Sequence, residues 1–142
     1  MEAQRQMTVV VAAITNDRSE LFLIKRNNPG VNYDQHYALP GGKINFGEDP
    51  KAAVKREVLE ETGFEVEVQD VLPAVWSNML TAAGESEPSI QAILIAYRCK
   101  KISGEFKPDG REVSAGGFFS KDILQKENCM KPAQEVFELI SK

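Results

Sequence analysis

The feature that most limits the possible folds of this chain is a segment with the start and end signals of a helix, because strand-like patterns lie on both sides of it. Asp49 is a good N-cap, Pro50 suits the first helical position, and Gly63 suits the residue just past a helix end. We therefore predict a helix from Pro50 to Thr62. An alternation of apolar and polar residues resumes at Phe64, which predicts that a strand follows the helix at once.

The rest of the chain consists of short apolar segments separated by turn residues. Strands are predicted at residues 7–14, 21–24, 64–68, 71–76, 90–98 and 116–119, and loops at 27–34 and 81–89. The first two strands form a hairpin. A brief helix at 121–125, capped by Ser120, and a last helix that starts at Pro132 complete the chain. This order predicts an α/β fold in which one domain over residues 1–142 holds a mixed β-sheet between helices.

Composition excludes several functional classes. The chain has 142 residues, with 17 Lys and Arg against 21 Asp and Glu, and its net charge of −4 argues against charge-driven binding to long nucleic acid. Its apolar stretches are far shorter than the roughly 20 residues of a membrane span, and the first residues lack an apolar signal region. We therefore expect a cytoplasmic protein without a membrane partner. Cys99 and Cys129 are distant in sequence, which favours buried thiols over a disulfide or zinc site.

Three carboxylates share one face of the predicted helix, because residues at i, i+3 and i+4 lie together. They belong to Glu57, Glu60 and Glu61. A different stripe is the better candidate for the face in water, and it holds Lys51, Lys55 and Thr62. The acidic face then points toward protein, where like charges repel and need neutralising.

A divalent cation is the stronger explanation for this acidic face. Arg56 is the only cation that flanks it, and one guanidinium cannot balance three or four acids. Clustered carboxylate oxygens suit Mg²⁺ or Mn²⁺, which also bridge to substrate phosphates. The preceding Pro40-Gly41-Gly42 lets backbone approach a ligand closely, and the Gly42 carbonyl could serve as a further metal ligand.

These residues have the spacing of a known motif. Gly42 is followed by five residues, Glu48, seven residues, Arg56-Glu57-Val58, one residue, Glu60-Glu61, one residue and Gly63-Phe64. The segment closely resembles the Nudix box of the Nudix hydrolases, and Leu39-Pro40-Gly41-Gly42 resembles the lead-in of that family. The resemblance implies an α/β/α sandwich and an enzyme that cleaves phosphoanhydride bonds by attack of water at phosphorus with divalent-metal help.

The resemblance also implies roles within the box. Glu57, Glu60 and Glu61 correspond to metal carboxylates, with Gly42 as a carbonyl ligand, and Mg²⁺ is the expected metal with Mn²⁺ as a substitute. Arg56 resembles the family arginine that orients the glutamates.

Residues around the box extend these expectations. Glu48 is expected to support the loop and helix geometry or to belong to an outer metal shell. Asn45 departs from relatives that carry an acid there, which removes one carboxylate and leaves the box intact.

The general base lies outside the box in part of this family. Glu112 resembles the late acidic residue of the MutT-like branch, because it precedes a strand with Phe118 and Phe119. Glu105 is an alternative further upstream. The resemblance leaves open which residue acts as the base.

Substrate signatures of several other Nudix branches are absent, so the chain resembles the MutT-like enzymes that act on (d)NTPs or oxidised dNTPs. Arg26 and Lys43 are candidate phosphate partners, and Gln134 resembles an amide that reads a base edge. Tyr37 either lines the pocket or belongs to the core.

Other readings stay open. ADP-ribose or a nucleotide sugar is an alternative substrate, and a non-hydrolytic nucleotide-binding module is a further alternative, although such modules usually lose box glutamates. Trp76 is expected in the core and His36 in a loop. A homodimer through the N-terminal strands also remains open.

Overall fold

The computed structural model describes residues 3–29 and 32–140. Seven strands and three helices occur there, and their bounds are β1 Arg5–Thr15, β2 Leu21–Arg26, β3 Tyr37–Ala38, β4 Gly41–Lys43, α1 Pro50–Thr62, β5 Glu65–Leu80, β6 Ile90–Ser103, β7 Val113–Phe119, α2 Ile123–Lys126 and α3 Lys131–Ile140. The predicted loop at 27–34 includes Gly30 and Val31, which lie outside the described residues. Among the described residues, no helix combines the length and apolar composition that a membrane crossing needs.

All seven strands belong to one mixed sheet. Its main order is β3-β2-β1-β6-β5, with β4 paired to β1 and β7 paired to β2. β1 and β6 run parallel, whereas the other paired strands are antiparallel. The predicted hairpin is present, with Thr15 opposite Leu21. The prediction of a mixed sheet is therefore confirmed.

The helices cover opposite faces of the sheet. On one face, α1 buries Val54 and Val58 against Val10 and Ile14 of β1. On the other face, α2 and α3 bury a second cluster that includes Trp76. Burial of these side chains supplies the main favourable free energy of such a packing. The predicted α/β/α sandwich is confirmed, as is the core position of Trp76.

Helix α1 begins and ends as predicted. The Asp49 side chain accepts hydrogen bonds from the backbone N–H groups of Lys51 and Ala52, and Gly63 adopts a left-handed φ of 81°. The prediction that Thr62 faces water is wrong, because its hydroxyl is buried. It donates to the Val58 carbonyl at 2.6 Å and accepts from the Phe64 N–H at 3.0 Å. The hydroxyl is therefore satisfied inside the protein, where periodicity alone assigned it to solvent.

Several bounds differ from the sequence prediction. β5 is one long strand in which register shifts occur around Pro73, and the very short β3 and β4 were not predicted. The N-cap of α2 is Asp122, without a side-chain hydrogen bond, so the predicted capping by Ser120 is wrong. Both cysteines are buried and free, as expected.

The pairing of β4 with β1 brings glycine backbone very close to β1. A Cβ atom added to Gly41 would lie 2.0 Å from the Val10 carbonyl oxygen and 2.6 Å from the Val11 Cα. Both contacts are to backbone, which cannot move aside as a flexible side chain can. A glycine is therefore required where β4 joins the sheet.

We predict that Gly41→Ala destabilises the protein by at least about 2 kcal/mol, because overpacking against backbone is costly. The melting temperature should fall by about 4 °C or more, measured by circular dichroism. Gly117→Ala is the matched control, since its nearest contact would be 3.6 Å from the Phe119 ring. An equal loss of stability in both variants would contradict the close approach at Gly41.

Candidate active site

Arg56 connects the acidic residues of α1 to the segment that precedes the helix. Its Nε and Nη2 donate to the two carboxylate oxygens of Glu48 at 2.8 and 2.9 Å. Its Nη1 lies 2.8 Å from Glu57 Oε1 and 3.4 Å from Glu60 Oε2. Nη2 also donates to the Lys43 carbonyl at 3.1 Å. One guanidinium thus fixes helix, loop and β4 relative to one another.

Glu48 occupies the supporting position expected for it. Besides the paired bonds from Arg56, it accepts a hydrogen bond from the Asn45 N–H at 3.0 Å. These bonds, with that of Arg56 the largest cause, lower the pKa of Glu48 to about 2. The same partnership raises the pKa of Arg56. Both groups are therefore charged throughout the physiological pH range.

Glu57 and Glu61 lie directly against the backbone of β4. Glu61 Oε1 accepts a hydrogen bond of 2.6 Å from the Gly41 N–H. A Cβ atom added to Gly42 would lie 2.5 Å from Glu57 Oε2, so the Glu57 carboxylate fills the space that any side chain on Gly42 would need. The two glycines let two carboxylates of α1 meet the edge of β4.

The electrostatics of this pair are unfavourable without a cation. Burial raises the pKa of Glu61 to about 8, the Gly41 hydrogen bond opposes that rise, and the negative charges of Glu57 and Glu112 add to it. Burial also raises the pKa of Glu57, and Glu112 contributes there too. The Glu112 carboxylate is therefore close enough to influence both.

The structure separates the two candidates for the general base. The loop before β7 carries Glu112 to the acidic residues of α1, and Asp109 Oδ1 fixes that loop by accepting three backbone N–H bonds. The Glu105 carbonyl lies against Gly63 just past the end of α1, and Glu105, unlike Glu112, is not among the charges that shift the pKa of Glu57 or Glu61.

The donor chemistry of the cluster fits a hard divalent cation. The groups that could hold one are the carboxylates of Glu57, Glu60 and Glu61 and the Gly42 carbonyl, all of which present oxygen. Across residues 3–29 and 32–140, no three His, Cys, Asp or Glu side chains already converge as a metal site. Glu60 is exposed and lies near Arg56, so it would have to turn toward Glu57 and Glu61 to complete the set.

A mostly apolar cavity of about 180 Å³ adjoins the acidic cluster, and Gly41 and Gly42 belong to both. Its floor is formed by β1 and β6, and α3 supplies one wall. Arg26, a predicted phosphate partner, lines the cavity, and its charge is close enough to lower the pKa of Glu61. Arg26 Nε is buried and has no hydrogen-bond partner in the part of the chain that is described.

Three other predicted substrate residues are placed elsewhere. Tyr37 is buried in the core with its ring 5.1 Å from that of Phe119, which favours the core alternative. Lys43 is exposed and meets Arg56 through its carbonyl. Gln134 is exposed, and its amide donates to the Cys129 carbonyl at 2.8 Å. The structure does not bring these three side chains into the cavity.

The sequence prediction missed two polar residues that line the cavity, Tyr33 and Asn78. Tyr33 lies in the predicted loop and has a left-handed φ of 54°, which sequence does not reveal for a tyrosine. Asn78 lies in β5 beyond the predicted end of the strand at residue 76. The only sequence signal that could have identified Asn78 is its polar side chain on a buried strand face.

Comparisons with known proteins show what this chain is similar to. A family model described as NUDIX domain matches residues 4–139. An ADP-ribose pyrophosphatase from Methanocaldococcus jannaschii is 34% identical over 119 residues, which cover 83% of this chain and 64% of that protein. This chain therefore spans less than two thirds of that relative. The nucleoside triphosphatase NudI from Escherichia fergusonii is 31% identical over 104 residues, covering 71% and 73% of the two chains.

Among solved structures, a MutT NUDIX hydrolase from Burkholderia pseudomallei is similar, with a TM-score of 0.76 and 26% identity. The match covers 94% of this chain and 97% of that chain.

We predict that Glu61→Gln stabilises the metal-free protein at high pH. The raised pKa means that the native state holds the Glu61 proton more tightly than the unfolded state, whose pKa is near 4.5. Native stability is therefore lost as the pH rises from the unfolded value through about 8. A glutamine keeps an acceptor for Gly41 and does not titrate.

The melting temperature in chelator should rise by at least about 2 °C at pH 8 and change little at pH 4.5. The exposed loop variant Glu87→Gln is the control and should leave both values unchanged. A destabilised Glu61→Gln protein at pH 8 would contradict the assigned electrostatics.

Proposed function

Because the chain belongs to the Nudix family, whose hydrolases act on phosphoanhydride bonds, we propose that its acidic cleft hydrolyses a nucleoside di- or triphosphate derivative with Mg²⁺. The observation that carries this proposal is the pair of carboxylates, Glu57 and Glu61, held against Gly41 and Gly42 at the mouth of a cavity. A phosphate chain is the ligand that needs both a cation and an adjoining pocket for its other end. Residues 1–142 are proposed to form one such domain.

The protein's own residues have separate tasks in this proposal. Arg56 holds Glu57 and the loop at Glu48 in fixed positions, so little reorganisation is needed when substrate binds. Arg26 faces the phosphates from the cavity side. A divalent cation, when bound by Glu57, Glu60, Glu61 and the Gly42 carbonyl, neutralises phosphate charge and lowers the pKa of bound water.

Glu112 is the proposed general base. Water attacks phosphorus, its proton passes to a carboxylate oxygen of Glu112, and the P–O anhydride bond breaks, so that the phosphorylated leaving group departs. The influence of Glu112 on the pKa values of Glu57 and Glu61 supports this assignment, because a base must lie within reach of that site. Glu105 has no such influence on the cluster.

The proposed substrates are (d)NTPs or their oxidised forms, cleaved to a monophosphate and pyrophosphate. Similarity to a protein named nucleoside triphosphatase supports this choice. ADP-ribose is the second candidate, because the Methanocaldococcus relative is named ADP-ribose pyrophosphatase. A purely binding module is disfavoured, because every glutamate of the box is present.

We expect Glu57→Gln and Glu61→Gln to lower Mg²⁺-dependent turnover by about 100-fold or more, because each removes a charge directed at the cation and phosphates. Release of pyrophosphate and phosphate is measured for dNTPs, 8-oxo-dGTP, ADP-ribose and nucleotide sugars. Both variants should stay folded, and Glu87→Gln should retain full turnover. Full activity in both glutamine variants would refute the assigned site.

A second comparison identifies the base. Glu112→Gln should reduce kcat by about 100-fold or more while KM changes less than about 3-fold, since a proton acceptor acts in the transition state. Glu105→Gln is the matched control and should leave kcat unchanged. If Glu105→Gln is the inactive variant instead, the base has been assigned to the wrong residue.

A further inference from the structure

The cavity beside the acidic cluster is continuous with it through the backbone of β4. Gly41 and Gly42 line the cavity, and the same two residues contact Glu61 and Glu57. A ligand whose phosphate lies at the carboxylates therefore has the cavity as the adjoining space for its remaining part. The walls are mostly apolar and include Leu80 and Leu94. The remaining part of the ligand must therefore have largely apolar faces.

Two polar side chains, Arg26 and Asn78, interrupt the apolar wall, and Arg26 Nη2 donates to the Asn32 carbonyl at 3.4 Å. Arg26 Nε is buried without a partner among the described residues. The Asn78 amide also lines the cavity, and no hydrogen bond joins it to another described residue. Because polar groups next to apolar surface are normally paired, the Asn78 amide is available to a bound molecule, whereas Arg26 Nε has no accessible surface and is not.

A comparison between two amides shows which one is free. Gln134 at the start of α3 already donates to the Cys129 carbonyl and is exposed. Asn78 lies on the face of β5 that also carries Trp76 and Leu80, beside Ala92 of β6. An amide in this position offers one acceptor and two donor hydrogens to a ligand edge.

The wall that carries Asn78 is held in place from both sides. The Asn32 side chain donates to the Thr81 carbonyl at 2.8 Å and accepts from the Thr81 N–H at 3.0 Å, which ties the loop with Tyr33 to the end of β5. Trp76 Nε1 donates to Glu135 of α3. The cavity is therefore preformed, which favours selective recognition.

We propose that the cavity receives the nucleobase of the substrate and that the Asn78 amide hydrogen-bonds to the edge of that base, so that Asn78 determines base preference. This inference rests on the proposed function and adds its specificity determinant. The spacing agrees. β4, β1, β6 and β5 are successive neighbours, so three strand spacings amount to roughly 14 Å across the sheet, and the three-residue offset of Asn78 from the level of Gly42 adds roughly 10 Å along the strands, which gives about 17 Å between the two backbones. After subtraction of the contact between Gly42 and a phosphate and of the reach of the Asn78 side chain, the remaining distance suits one nucleotide.

The test measures binding, so that it does not depend on hydrolysis. Dissociation constants of AMP, GMP, CMP and UMP are determined by titration calorimetry for the wild type, Asn78→Ala, Asn78→Asp and Gln134→Ala. For the wild type, we expect the dissociation constants of the weakest-binding and tightest-binding monophosphates to differ by about 10-fold, a typical effect of one or two hydrogen bonds. Asn78→Ala should reduce that ratio to about 2-fold or less, while Gln134→Ala keeps it.

Asn78→Asp replaces the two donor hydrogens by an acceptor of equal size, so it should change which base binds most tightly. This isosteric variant keeps the inference testable if Asn78→Ala does not fold. Three results would overturn the inference. The wild type would bind all four monophosphates equally, it would bind none of them, or the ratio of dissociation constants would be unchanged in both Asn78 variants. Turnover of the same proteins is measured separately, so a hydrolase without base preference refutes only the role of Asn78.

Discussion

The repulsion between carboxylates held at β4 is the constraint on which the site depends. Glu57 and Glu61 are brought together by helix spacing and then fixed against glycine backbone, where water screens them less. Arg56 balances only part of this charge, because its donors are shared with Glu48 and Glu60. The protein thus keeps a local excess of negative charge that a bound cation would relieve. Without a cation, this repulsion lowers the free energy of unfolding.

The two glycines also connect the two faces of the sheet. The carboxylates come from α1, which packs on one face, whereas the cavity lies on the face covered by α3. Side chains at Gly41 and Gly42 would separate these regions, since their Cβ atoms would collide with β1 and with Glu57. A site made from both layers of the sandwich is possible because β4 is short and lacks side chains there.

Sequence predicted the parts of this structure that depend on local rules. The caps of α1 follow from Asp49 and Gly63, and the box spacing located Glu57 and Glu61. Thr62 was misplaced because its short side chain bonds to the carbonyl one turn earlier, so a polar residue can be buried. The location of Tyr37 depends on contacts with β7 that are distant in sequence.

Asn78 shows why the substrate side of the site was harder to predict. In β5, Val66 faces α1, whereas Leu72 and Trp76 face α3, although all three positions are even. The register shifts around Pro73 change which face the even positions occupy. Strict alternation from Val66 would therefore place Asn78 on the face opposite the cavity. Only the observed pairing of β5 with β6 shows that Asn78 lies on the face of the cavity.

The two ends of the cleft, at the carboxylates and at Asn78, thus depend on different physical interactions. Charge neutralisation at Glu57 and Glu61 acts over several ångströms and requires only that the carboxylates converge. Hydrogen bonding at Asn78 requires matching donors and acceptors at short range, because an unmatched polar group in an apolar cavity is costly. Under the proposed function, a change at the first end would therefore alter the chemistry for every substrate, whereas a change at the second would alter which substrate is chosen.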